Sequence, residues 1–215
     1  MDSMYDTIME LPLFKGIGEE QLSQMLEKTS VDFRNFEKGA EIASRDENVK
    51  TVDFIISGEA SQTYRLAGSA IKVEEILGKG ALIGARRLFG IDTTYSGDVY
   101  AKSDLSLMRI DKMQYMDILQ RDRIYMLNYV NYISAALQRC PSYLMTTHDD
   151  TITRDLKMLG LSMTSRLARK ILLNGKKRDL AEYCGVSIRE FMQWCGMING
   201  SKGIKITDEG VEIGG

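Results

Sequence analysis

Apolar and polar positions alternate with period two from Val31 to Ile110, through the runs VDFRNF, EIAS, TVDFIISGEASQTYRL, AIKVEEIL, ALIG, DVYAK and LSLMRI. Lys38-Gly39, Ser57-Gly58, Ala67-Gly68-Ser69 and Gly78-Lys79-Gly80 separate them, so short strands joined by glycine turns are predicted. That pattern fits a β-sandwich, jelly roll or small barrel. On either side the period lengthens. LPLFKGIGEEQLSQMLEKT predicts a short helical lead-in with Leu22, Met25 and Leu26 on one side. After Asp111, a plausible N-cap, the run KMQYMDILQRDRIYMLNYVNYISAALQRC has neither Gly nor Pro and predicts one long helix. Its Met126, Val130, Ile133, Leu137 and Cys140 recur at spacings of 4, 3, 4 and 3, a narrow seam that suits a second copy of the same helix. The alternative is a helix lying on its own β domain. Pro141 then ends or kinks the helix.

Residues 142–160 are polar and receive no element. MTSRLARKILL reads as an amphipathic helix, with Leu167, Ile171 and Leu172 inward and Arg166, Arg169 and Lys170 outward. KKRDLAEYCGVSIREFMQWCGMING carries the pattern of two crossed helices. Asp179 is placed as cap, Ala181 where the helices cross, Gly185 in the turn, and Phe191 of the second helix on the first. Leu180, Cys184, Val186, Trp194 and Ile198 complete the inward set. GIKITDEGVEI follows as a hairpin around Asp208-Glu209-Gly210, the wing of a winged helix-turn-helix. Ser187, Ile188, Arg189, Met192 and Gln193 are left facing outward. Arg189 and Gln193 stand one turn apart, and those side chains can read guanine and adenine edges in a major groove. Lys176, Lys177, Arg178 and Lys202 would contact phosphates. The alternative is that these are solvated charges on a domain used for protein contact.

Composition adds constraints. The 215 residues, 44% hydrophobic and 27% charged, are enough for two soluble domains. The net charge of −2 hides an asymmetry, since residues 165–215 hold 9 basic against 6 acidic residues, which permits nucleic-acid contact at that end. No apolar run approaches the roughly 18–20 residues of a membrane span, and MDSMYDTIME lacks a signal-peptide core. A cytoplasmic protein without a membrane partner is expected. Cys140, Cys184 and Cys195 are widely spaced and His148 is the only histidine, so no metal-ligand spacing appears. No nucleophile–base pair is found either. An enzyme is not expected, and His148 with Asp149 and Asp150 reads as a solvated loop.

The stretch GALIGARRLFGIDTTYSGDVYAK, Gly80 to Lys102, has the glycines of a phosphate cradle. Together with LPLFKGI, FEKGAEI, FIISGEA, RLARKILL and DLAEYCGVSIREF, it resembles the Crp/Fnr superfamily of bacterial transcription regulators over nearly the whole chain. The resemblance implies an α+β chain in three parts. A double-stranded β-helix (jelly-roll) sensor domain of the cyclic-nucleotide-binding type spans 1–111, a dimerisation helix and connector 112–147, and a winged helix-turn-helix 148–215. It also implies double-stranded DNA, a homodimer partner and RNA polymerase as the macromolecules met.

In members that bind cyclic AMP, a glutamate after the last cradle glycine holds the ribose and an arginine neutralises the phosphate. Here Ala85 follows Gly84, and Tyr95-Ser96-Gly97 stand where Arg-Ser-Ala is expected. Losing two charge-assisted hydrogen bonds, roughly 1.5–3 kcal/mol each, weakens binding by about two to four orders of magnitude. Cyclic AMP in the usual pose is not expected, and no cofactor is assigned. Three readings of the cradle stay open. Arg86 and Arg87 could form a substitute anion site, another small-molecule effector could sit beside Thr93, Thr94, Tyr95 and Ser96, or the roll could be purely structural. Without sequence-specific DNA binding, the chain would be a protein-interaction scaffold.

Overall fold

The computed structural model describes residues 4–138, 149–165 and 167–214. The chain divides into two compact units, one formed by Met1–Ser61 with Leu77–Ala135, the other by Gln62–Ile76 with Ala136–Gly215.

In the first unit, α1 (Met4–Met9), a 3-10 turn (Pro12–Phe14) and α2 (Glu19–Glu27) lead into β1 (Val31–Phe36), β2 (Glu41–Ala43) and β3 (Thr51–Ser57). The hairpin of β4 (Ala60–Arg65) and β5 (Lys72–Leu77) belongs mostly to the second unit. The chain then returns through β6 (Leu82–Ile83), β7 (Asp98–Ala101) and β8 (Leu105–Asp111). One sheet has the order β1-β8-β3-β6 with each pair antiparallel, and β2 pairs antiparallel with β7. The result is an antiparallel β-sandwich.

Alternation explains β3. Val52 and Phe54 face one side and Asp53 and Ile55 the other, and all four are buried, so this strand is covered on both faces. The Phe54 ring lies 5.5 Å from Phe14, which meets Tyr125 at 5.0 Å. The turn into β4 requires glycine, since Gly58 has φ +83° and an added Cβ would stand 2.2 Å from the Asp104 carbonyl oxygen.

The single helix expected over 112–140 is two helices, α3 (Lys112–Arg121) and α4 (Arg123–Leu137). Asp122 breaks them with an extended backbone, φ −117° and ψ 114°. Its carboxylate accepts from the Tyr125 amide at 2.8 Å and from the Gln21 side-chain amide. A short acidic side chain that caps a following turn competes with helix continuation, and a search for Gly and Pro cannot see it. Cys140, Pro141 and His148 lie outside the described residues.

The second unit contains α5 (Thr151–Met163), β9 (Ala168–Asn174), α6 (Lys177–Tyr183), α7 (Ile188–Ile198), β10 (Ile204–Ile206) and β11 (Gly210–Gly214). Its strands run in the order β10-β11-β9-β5-β4. α5 occupies part of the stretch left unassigned from sequence. Asp150 caps it by accepting from the Thr153 amide at 2.9 Å, and Ile152, Leu156 and Leu159 are buried.

The amphipathic helix read from MTSRLARKILL is instead strand β9. Ile171 and Leu173 are buried on one face and pair in register with Ile213 and Val211. The apolar run is short and ends at Asn174-Gly175, and at that length the two periods cannot be told apart locally. Asp179 is not the cap of the next helix. Lys176 holds that position and Asp179 sits in the first turn, where a carboxylate still complements the helix dipole.

Candidate functional site

Two places carry the residues singled out from sequence. In the first unit, the chain leaves β6 at Gly84 with φ +82°, where an added Cβ would lie 2.8 Å from the Thr51 carbonyl oxygen, 3.0 Å from Val49 and 3.3 Å from the Tyr95 hydroxyl. Glycine is therefore needed whatever the cradle holds. The Arg87 amide donates to the Gly84 carbonyl at 2.9 Å, closing a turn where the family pattern begins a short helix.

The cradle is satisfied by the chain's own groups. Ala85 is 1% exposed, and its carbonyl oxygen accepts from the Tyr129 hydroxyl of α4 at 3.1 Å. Arg87 is paired with Asp92, whose carboxylate also accepts from the Thr94 hydroxyl at 2.7 Å and amide at 3.1 Å. The Thr94 bonds, with Arg87 beside them, hold the Asp92 carboxyl below its usual range. Arg87 and Thr94 are thus brought together, but around a carboxylate that already uses the guanidinium charge. Arg86 and Ser96 are half-buried.

Tyr95 is buried, and its phenol is pushed up to about 12, first by burial and then by the Asp53 carboxylate. It stays neutral at every physiological pH. The sequence reading missed Asp53 and Arg109. Arg109 grips Asp53 through Nε at 2.8 Å and Nη2 at 2.6 Å across paired strands β3 and β8, and Asp53 is 0% exposed. The signal was available as an acid inside TVDFIIS and a base inside LSLMRI, opposite charges in strands that are otherwise apolar.

In the second unit, α6 and α7 are joined through a turn at Gly185, φ +65°. α7 buries Phe191, Trp194, Cys195 and Ile198 and exposes Ile188, Arg189, Met192 and Gln193. Its start is fixed by a capping box. The Ser187 hydroxyl accepts from the Glu190 amide at 3.2 Å, while the Glu190 carboxylate accepts from the Ser187 amide at 2.9 Å. Ser187 is exposed, but its side chain is committed to this cap. Trp194 Nε1 donates to the Thr153 hydroxyl at 3.1 Å, and that hydroxyl donates to Asp150 at 2.7 Å. This chain ties α7 to the start of α5.

Arg178 is exposed on the first turn of α6. Lys202, in the turn before β10, is drawn to Asp149 at 3.3 Å and Asp150 at 3.6 Å, so its ammonium is partly neutralised inside the unit. Cys184 is buried, and desolvation raises its thiol to about 12. Among the described residues, no group of three or more His, Cys, Asp or Glu could hold a metal, and no helix is long and apolar enough to cross a membrane.

These features define a β-roll with a phosphate-cradle turn, and residues 33–122 match the family model described as the cyclic nucleotide-binding domain. Among solved structures, the catabolite activator protein of Thermus thermophilus aligns over 94% of this chain and 93% of its own, at 16% identity and a TM-score of 0.51. The sensor domain of the transcriptional regulator DNR from Pseudomonas aeruginosa covers 66% of this chain and 92% of its own, at 21% identity and a TM-score of 0.52. At these identities the likeness is one of fold. No curated protein sequence matches the chain.

Proposed function

We propose that the chain is a dimeric DNA-binding transcription regulator whose β-roll does not take cyclic AMP in the usual pose. In this reading α6 and α7 with the β10–β11 hairpin form a winged helix-turn-helix, and α7 enters the major groove. The observation that carries the reading is the division of α7 into a fully packed face and an exposed one. The exposed face begins at a capped N-terminus and presents Arg189 and Gln193 one turn apart, the residue types that pair with guanine and adenine edges. Ile188 and Met192, each 47% exposed beside them, suit contact with thymine methyl groups. Arg178 supplies phosphate contact, and Lys202 does so if it exchanges Asp149 for DNA.

Selection of bound sequences from a random duplex pool tests the reading. The expected result is a near-palindromic site, with Arg189→Ala weakening it by roughly 1–3 kcal/mol and relaxing one base position. Equal affinity for the selected site and scrambled DNA, with a shallow dependence on salt, would leave the protein-scaffold reading in its place. The same apolar pair, Ile188 and Met192, is what favours that second reading.

A further inference from the structure

The β4–β5 hairpin leaves the roll between Ser61 and Leu77 and packs with the C-terminal unit rather than with the strands that flank it in sequence. Its second strand, β5, adds to the edge of the sheet at β9, giving the order β10-β11-β9-β5-β4. Strand addition supplies main-chain hydrogen bonds and is a common way for one segment to hold another. Here side chains reinforce it. Glu75 of β5 is 0% exposed, accepts from the Tyr64 hydroxyl of β4, and accepts from the Ser165 amide, just before β9, at 2.5 Å. Glu74 accepts from the Asn174 side-chain amide at 3.2 Å at the far end of β9. Ile71 and Val73 are fully buried, and the backbone approaches so closely at Gly175 that an added Cβ would lie 3.3 Å from Ile71 Cγ1 and 3.6 Å from its Cα.

A carboxylate buried in this way is secure only while both donors stay in place. It therefore makes docking of the hairpin all-or-none at that point. The docked hairpin leaves Ile188, Arg189, Met192 and Gln193 exposed, so it does not cover the face assigned to DNA.

We propose that the β4–β5 hairpin is a strap, latched by Glu75, that fixes the C-terminal unit in the arrangement competent to bind its operator. Because residues 61–62 and 76–77 run directly into the roll, any change in the roll that pulls on the strap is delivered to β9. Ordering the unit before binding lowers the entropic cost of engaging two half-sites. The strap's role in operator binding rests on the DNA-binding reading above; its docking does not.

The test uses the full-length protein and three variants. Glu75→Gln removes the charge but keeps the shape, Glu75→Ala removes the latch, and Gly175→Val wedges β9 away from Ile71. Hydrogen exchange is read at amides 72–76 and 168–174, with the β8 amides 105–110 as the fold control, and affinity is measured for a selected operator and for random duplex. The expected result is that Glu75→Ala and Gly175→Val speed exchange in β5 and β9 by at least about tenfold, with a smaller effect for Glu75→Gln and β8 unchanged. Operator affinity should fall by about tenfold while random-duplex affinity holds.

Unchanged exchange in all three variants, with β8 protected, overturns the strap. Faster exchange with unchanged operator affinity overturns its role in presenting the unit. If Glu75→Ala loses β8 protection as well, Gly175→Val and Glu75→Gln decide the matter, since neither removes a buried side chain. Absence of any DNA binding by the wild-type protein would sink the DNA reading, while the exchange measurement would still decide whether the hairpin is docked.

Discussion

Tyr95 decides what the cradle can do more than any other residue in the first unit. Its buried, neutral ring stands at the position where the family resemblance calls for a cation, and Arg87 is already occupied by Asp92. A cyclic phosphate brought here would meet no unshared positive charge from either residue. Calorimetric titration with millimolar cyclic AMP should therefore give no saturable heat, and a micromolar dissociation constant would refute this account. Gly84 offers a separate prediction. Alanine there combines a left-handed backbone with an approach of 2.8 Å to the Thr51 carbonyl oxygen, so Gly84→Ala should cost at least roughly 1–3 kcal/mol in urea unfolding. The need for glycine at position 84 was legible in the sequence. The filling of the site was not, because Tyr129 and Asp53 reach it from elements far away in the chain.

At the scale of elements, period-two alternation located every strand of the roll, and Asp111 was recognisable as a cap, accepting from the Met113 amide at 2.8 Å. The failures have a common cause. The break at Asp122, the strand character of β9 and the existence of α5 all depend on partners that a local window does not contain: Gln21 for Asp122, β11 for β9, and Trp194 for the start of α5. Thr153→Val tests the last of these. It removes the hydroxyl that accepts from Trp194 and donates to Asp150, and leaving the indole N–H unpaired in a buried site should cost about 1–3 kcal/mol. Acid should act at the same place. The Lys157 ammonium, 2.9 Å from Asp149, holds that carboxyl below its usual 3.8 with help from Lys202. Asp150 is also lowered; burial opposes this, but the Thr153 hydrogen bonds outweigh it. A carboxyl with a depressed folded value adds stability that is present above its unfolded value and is lost as pH falls through the folded one. Acidification below about pH 4 should thus loosen the start of α5, followed as faster exchange at amides 151–156, and Lys157→Met should weaken that acid dependence.

At the scale of the whole molecule, the proposal needs two copies, and α4 is where the argument is strongest. Met126, Val130 and Leu137 of the predicted seam are 45%, 50% and 64% exposed, and Ile133 is half-buried. Three large apolar side chains recurring along one helix are better covered by another helix than by water. The buried side of α4, by contrast, is turned inward by Tyr125 against Phe14 and by Tyr129 against Phe89, so a charge placed on the seam need not disturb the roll. Val130→Glu should convert a dimer into a monomer in sedimentation without lowering the melting temperature of the roll. Its effect on DNA should be much larger than that of any single base contact. With two half-sites joined, the second engagement is intramolecular and adds about two to four orders of magnitude in avidity. The monomer should lose that factor for the palindromic site and keep the affinity of the wild-type protein for an isolated half-site. A wild-type protein that sediments as a monomer at micromolar concentration, or a Val130→Glu variant that binds the full site undiminished, would show that α4 does not join two copies.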